Sequence, residues 1–246
     1  MSNDDYPILQ AMDLNYSYGE IAVLNGVSLN VHPGRVTAVI GPNGSGKTTL
    51  VRALVGLQDP TGGEIRYDGP NTARPIGYLQ QRPAFRPGGT VHETLTFYAS
   101  LVGETEADAS DRLDRVGLAA AAERNVEALS GGMTRLVGIA QATIGSPPVI
   151  VLDEPASGLD PGMSVRIFEV AEELASDGAA VVLTSHNLSL VERTADHVVL
   201  LDDGAVALRG EPAAIRDELG VGSLLEAFED SISGEAGTVR VRGESA

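Results

Sequence analysis

A chain of 246 residues and 25.5 kDa, 43% hydrophobic, has the length of one large domain or a domain with an insert, and enough apolar residues for a core. Acidic residues outnumber basic ones 34 to 17, a formal charge of −17, which excludes a general nucleic-acid binder, because phosphate backbones demand clustered Lys and Arg. With no cysteine, disulfides, thiolate zinc sites and cysteine nucleophiles are excluded as well.

The acidic start, Met1 to Asp5, does not read as a signal sequence. Residues 8–14 and 23–31 alternate apolar and polar side chains around turns at Tyr18-Gly19 and Pro33-Gly34, the pattern of antiparallel strands. Residues 36–40 are a short apolar strand leading into a glycine-rich turn. Helical apolar spacing follows over 48–57, ending at Gly56 and Pro60. Short strands are expected at 62–67 and 74–79. Residues 91–101, 108–116 and 133–144 read as helices of an inserted subdomain. Three strand–helix alternations then begin at 149–152, 180–184 and 197–201, predicting a parallel sheet covered on both faces. Residues 231–246 read as a loose, solvated tail. No apolar run approaches the ~18–20 residues of a membrane span.

Lys47 is the only lysine in the chain; every other basic residue is arginine. An acid-rich, lysine-poor composition suits a cytoplasm of very high salt, where carboxylates keep a hydrated surface after screening. An arginine bias from a GC-rich genome accounts for the missing lysines but not for the charge. The surviving lysine marks a position that arginine cannot fill. It lies in Gly41, Pro42, Asn43, Gly44, Ser45, Gly46, Lys47, Thr48, which fits G-x-x-x-x-G-K-[ST] between a strand and a helix. Such a loop turns successive backbone N–H groups inward around phosphate oxygens, and the helix running on through Thr49 adds its positive end. Lys47 supplies a compact ammonium for the β- and γ-phosphates, where the broad fork of arginine would not fit. Thr48 offers a hydroxyl to Mg²⁺. Further on, the apolar strand 149–152 ends in Asp153 and Glu154, at the sheet edge where α/β folds bind ligands. Asp153 suits Mg²⁺ binding through water, and Glu154 suits polarising an attacking water.

Leu129-Ser130-Gly131-Gly132-Met133 closely resembles the LSGGQ signature of ATP-binding cassette (ABC) ATPases, placed between the helical insert and the Asp153–Glu154 strand as in that family. Five further features match in order. Tyr18 resembles the aromatic that stacks on adenine, with Tyr16 as a competitor. Gln81 is similar to the glutamine that senses Mg²⁺ and the membrane partner, with Gln80 beside it. Ser157 to Asp160 resembles the D-loop, His186 the switch histidine that contacts the γ-phosphate, and Asp203-Gly204 with Gly210 the closing hairpin. Several residues depart from the pattern: Met133 replaces glutamine, Arg135-Leu136 stands where Gln-Arg is usual, Gln80 where proline is common, and Asn187 where aspartate is common.

The resemblance implies an α/β P-loop NTPase: a RecA-like, mostly parallel sheet, an N-terminal antiparallel β-subdomain and an inserted α-helical subdomain. It places the ATPase domain at 6–222 (core 6–86 and 146–222, insert 87–145), with 223–246 as an extension. It implies ATP and Mg²⁺ as cofactors, Thr48, Asp153 and Gln81 at the metal, and Ser130, Gly131, Gly132 and Asp160 contributing to nucleotide sites across a dimer. The implied partners are a second copy or a paralogous ATPase subunit, and an integral-membrane permease docking near Gln81 and Ala84-Phe85. Direct contact with nucleic acid or with the transported substrate is not expected. The implied function is ATP hydrolysis for an export-type transporter at the inner face of the cell membrane. A nutrient or metal importer is the alternative, and a soluble ABC ATPase a more distant one.

Overall fold

The computed structural model describes residues 6–232. Alternation near the N-terminus forms β1 (Leu9–Tyr18) and β2 (Ile21–Val31), which pair antiparallel. Both run further than the alternation predicts. Register shifts between Ala11 and Leu14 and again before Ser17 change which residues face inward while the strands stay paired. After β3 (Val36–Ile40) and α1 (Lys47–Leu54), β4 (Gly62–Tyr67) joins the other edge of β1, giving a sheet of order β2-β1-β4. Helix α1 ends earlier than its apolar spacing suggests, since Gly56, in the left-handed region, lies just beyond its last turn.

The second sheet begins with β5 (Ile76–Leu79). Next come α2 (Val91–Ser100) and α3 (Glu106–Val116), each opened by a reciprocal capping box, Thr90 with Glu93 and Thr105 with Asp108. The cap at Thr105 starts α3 two residues before the predicted 108. Two single 3-10 turns lead to α4 (Gly131–Thr143). The remaining elements are β6 (Val149–Leu152), α5 (Pro161–Ser176), β7 (Ala180–Thr184), α6 (Leu188–Thr194), β8 (His197–Asp202), β9 (Ala205–Gly210), α7 (Pro212–Leu219) and α8 (Leu224–Ile232). The sheet order is β5-β6-β7-β3-β8-β9, parallel except for β9.

Strands β3, β6 and β7 are buried along their whole length, which explains their unbroken apolar runs. One core cluster lies between this sheet and the helices, and a second between it and the antiparallel sheet. The helices of the insert join the first cluster through Leu95, Leu113 and Val137. Polar ties reinforce the junction: Arg74 donates to the carbonyls of Gln141 and Ile144, Arg115 pairs with Asp177, and Arg166 donates to the carbonyl of Arg115.

Ser231 and Ile232, predicted to begin a loose tail, complete α8, whose Leu224 and Ala227 are fully buried in the main cluster. The remainder of that tail, 233–246, lies outside the described residues. Among the described residues no helix is long and apolar enough to cross a membrane.

Candidate functional site

Sheet order builds the site. β6, β7 and β3 are neighbours, so the residues leaving their C-terminal ends, Asp153-Glu154, Ser185-His186 and Gly41–Lys47, meet along one edge. Gly46 caps α1 in a left-handed conformation, φ 101°, and a Cβ there would lie 2.7 Å from Leu24 Cδ2 and 2.8 Å from the Val23 carbonyl oxygen. The glycine therefore lets the loop close against β2. Lys47 is buried and curls back over the loop, its Nζ donating to the carbonyls of Gly41 (2.8 Å) and Pro42 (3.0 Å). Burial lowers its pKa, with Glu154 and then Asp153 pulling the other way.

Asp153 and Glu154 are both buried at the end of β6. Thr184, the last residue of β7, joins them: its hydroxyl donates to Asp153 Oδ1 (2.8 Å) and accepts from the Glu154 backbone N–H (2.7 Å). Thr48 Oγ1 reaches the same Asp153 oxygen at 3.4 Å. Glu154 itself sits at φ 48°, where a non-glycine residue is strained, and the Thr184 bond helps hold it there. Burial raises the Glu154 pKa, which Lys47 partly opposes. His186 Nε2 lies 2.9 Å from Glu154 Oε1, out of line for a hydrogen bond. Burial, then the Lys47 charge, lowers the His186 pKa, which favours the neutral imidazole beside Glu154. A cleft of about 510 Å³ opens over Glu154, Ser157 to Leu159, and His186.

The residues fit a nucleotide with Mg²⁺. Asp153 Oδ2, Glu154 Oε1 and Ser45 Oγ are buried and make no protein hydrogen bond, so residues of the site keep unused hydrogen-bonding capacity. The described residues hold no cluster of three His, Cys, Asp or Glu side chains fit for a metal. Thr48 and Asp153 alone suit Mg²⁺, which keeps waters and phosphate oxygens around one or two protein ligands.

The other expected residues fall in three groups. Tyr18 is 48% exposed, held edge-on to Tyr16 at 5.0 Å and accepting from Gln58 Nε2, whereas Tyr16 packs into the second core cluster; the free face is that of Tyr18. Ser130 and Asp160 are helix N-caps, accepting from the backbone N–H of Met133 and Met163. Gly132 is small because a Cβ would overlap the Met163 side chain. Gln81, in contrast, is exposed beyond β5 and makes no hydrogen bond to Asp153 or Thr48.

Two residues carry parts that the sequence alone does not assign. Thr184 bridges both acids; the signal available is a hydroxyl ending an otherwise apolar strand. Arg135, a departure from the signature in sequence, is half-buried and extends from α4 to within 3.5 Å of the Gln80 carbonyl oxygen, with Asp153 and Glu154 in its field. Thr184→Val, which keeps the shape and removes the hydroxyl, should lower ATP turnover by about ten- to a hundredfold, and stability by roughly 1–3 kcal/mol, through the unpaired Glu154 N–H. Thr184→Ser should restore most of both. Steady-state phosphate release and thermal unfolding of the two variants check this.

A family model described as ABC transporter matches residues 24–157. The lantibiotic transport ATP-binding protein SrtF of Streptococcus pyogenes is 34% identical over 208 residues, 83% of this chain and 91% of the relative. A Nod factor export ATP-binding protein I of Cupriavidus metallidurans is 32% identical, covering 97% of this chain and 84% of its own. A zinc import ATP-binding protein, ZnuC, of Paracoccus denitrificans is 39% identical, over 85% and 81%. Among solved structures, an ATP-binding subunit of an ABC transporter superposes with a TM-score of 0.80 at 31% identity, covering 91% of this chain and 99% of that one. A dimeric cassette in a post-hydrolysis state with ADP and Pi gives 0.73 at 25% identity, over 82% and 98%.

Proposed function

The chain belongs to the ABC transporter family, as an ATP-binding subunit that hydrolyses ATP, and from that premise we propose that two copies close head to tail around two ATP molecules to drive a separate permease. The observation that carries this reading is the continuous run Thr48, Asp153, Thr184, Glu154 and His186 beside the phosphate loop. Each has a chemical part. The phosphate loop and Lys47 hold the β- and γ-phosphates, and Tyr18 offers its exposed ring to adenine. Glu154, a buried carboxylate, accepts the proton of the attacking water. Neutral His186 offers a ring N–H to the γ-phosphate. Ser130, Gly131 and Gly132 at the start of α4 in the second copy complete the site from across the cleft, with Asp160 at the junction. Mg²⁺ on Thr48 and Asp153, with Gln81 as a further expected ligand, would neutralise phosphate charge.

The cassette is taken as 6–222 with its insert at 87–145. The permease would dock beside the insert, where Phe97 on α2 and Leu101 just after it are exposed and Phe97 shares a cleft with Arg86, the residue after Phe85, in the stretch that follows Gln81. Export is the favoured direction, supported by the names of the lantibiotic and Nod factor relatives, while the zinc relative keeps uptake as the second reading. The acid-rich composition favours a high-salt cytoplasm.

A tagged chain recovered from gently solubilised membranes in molar KCl should bring down a polytopic permease. A permease with an extracytoplasmic solute-binding protein would replace export by uptake. Recovery without any membrane protein would remove the transport role in this chain.

A further inference from the structure

At the end of the mixed sheet opposite Glu154, the apolar seam between the two sheets gives way to a cationic cleft. Val39, Val199 and Leu201 pack against Leu29 and Val31 of β2 in one cluster. Toward the start of the parallel strands the same sheet face turns polar. Thr37 pairs with His197, Val39 with Val199, and Val199 with Arg209, so Thr37, His197 and Arg209 stand on the side that carries the seam. With His32 and Arg35 from the turn after β2, and Ser28 and Asn30 of β2, they line a cleft of about 430 Å³.

Charge is what sets this cleft apart. In a chain of formal charge −17 it gathers two of four histidines with two arginines, drawn from separate elements. Like charges crowded together with little acid between them destabilise the cationic forms unless an anion intervenes. The acids placed around the cleft are held by neutral donors or act from one side. Asp196 accepts from the Val36 backbone N–H (2.7 Å), Asp13 accepts from Ser28 Oγ (3.1 Å), and Glu211 alone acts on His197. Neither Arg35 nor Arg209 forms an ion pair among the described residues.

We propose that this cleft is a second anion site, separate from the nucleotide site, taking a tetrahedral oxyanion of the phosphate or sulfate class. Arg35 and Arg209 at its rim present guanidinium forks suited to paired oxygens, and the half-buried His32 and His197 add donors further in. The His197 pKa is lowered by burial first, then by His32, Arg209 and Arg35, against Glu211. An anion cancels that repulsion, so binding raises the His197 midpoint, and by linkage affinity rises as pH falls through it.

Sulfate, a dianion throughout this range, is the probe. Ring signals of the four histidines, His32, His92, His186 and His197, are followed by NMR against pH in the full chain, at constant ionic strength set with chloride. Single His→Gln variants assign them. Sulfate should raise the His197 midpoint and move His32 saturably, leaving His92 in place. The double variant R35Q/R209Q should weaken this response by about tenfold or more. Its basal ATP turnover should stay unchanged. R209Q alone, on an exposed edge strand, should show a smaller loss and covers the case in which the double variant folds poorly. Movement of His186 alone would place sulfate in the phosphate loop and overturn the proposal, as would a shift of all four signals that never saturates.

Discussion

Glu154→Gln should bind ATP with near-normal affinity, hydrolyse it on the order of a thousandfold more slowly, and accumulate as an ATP-bound dimer. The substitution keeps the side-chain volume, the strained backbone at φ 48° and the bond from Thr184 to its backbone N–H, so loss of the proton acceptor is the main change. Size-exclusion chromatography with ATP, beside a phosphate-release assay, reads both halves of the result. Hydrolysis at the parental rate would remove Glu154 from the role of base and leave Asp153 or a water chain to take it.

The same variant makes a prediction about pH. Burial favours the neutral carboxyl, so the folded pKa of Glu154 lies above its ordinary 4.5. The charged form therefore costs stability at neutral pH. That cost disappears as pH falls through the raised value to below the unfolded one. Glutamine removes it, so Glu154→Gln should melt higher than the parent at pH 7 without nucleotide, the two curves converging in acid. If Glu154 is the base proposed above, the acid limb of kcat/KM in the parent should likewise have its midpoint above the ordinary glutamate value, since a carboxylate accepts a proton only when ionised.

Much of this site is legible in the sequence because its parts lie in contiguous runs. A glycine-rich loop between a strand and a helix, and a buried strand ending in two acids, each declare a backbone geometry as well as a chemistry. Their meeting depends on strand order, which local periodicity does not carry: β6 and β3 are separated by β7, and only that order brings Thr184 against Asp153. Thr184 stays hidden for this reason. The choice between Tyr16 and Tyr18 turns on register, since irregular pairing along β1 decides which ring packs inward. The end of helix α8 is masked by the Gly, Ser and Glu residues that dominate 233–246, although its burying residues, Leu224 and Ala227, occur one turn apart in the preceding stretch. Gln81 shows the converse. Its place in a motif is clear, but its side chain is exposed and bonded to neither Asp153 nor Thr48.

Lys47→Arg should fold and yet lose nearly all ATP turnover, by about a hundredfold or more, although the charge is kept. The Nζ of Lys47 occupies a buried position, donating to two carbonyls of its own loop. A guanidinium placed there would carry five N–H donors on a planar group wider than the ammonium, and those without acceptors would be buried at a cost. Its escape is outward, into the space where phosphate oxygens must come, so nucleotide affinity should fall together with turnover. A fluorescent ATP analogue measures the first and phosphate release the second, with circular dichroism as the check on folding. The composition sharpens the test. Arginine stands at every other basic position of this chain, so substitution pressure has met one site where charge alone was not enough. An active Lys47→Arg protein would show that the loop accommodates the larger head, and that the lone lysine is an accident of composition.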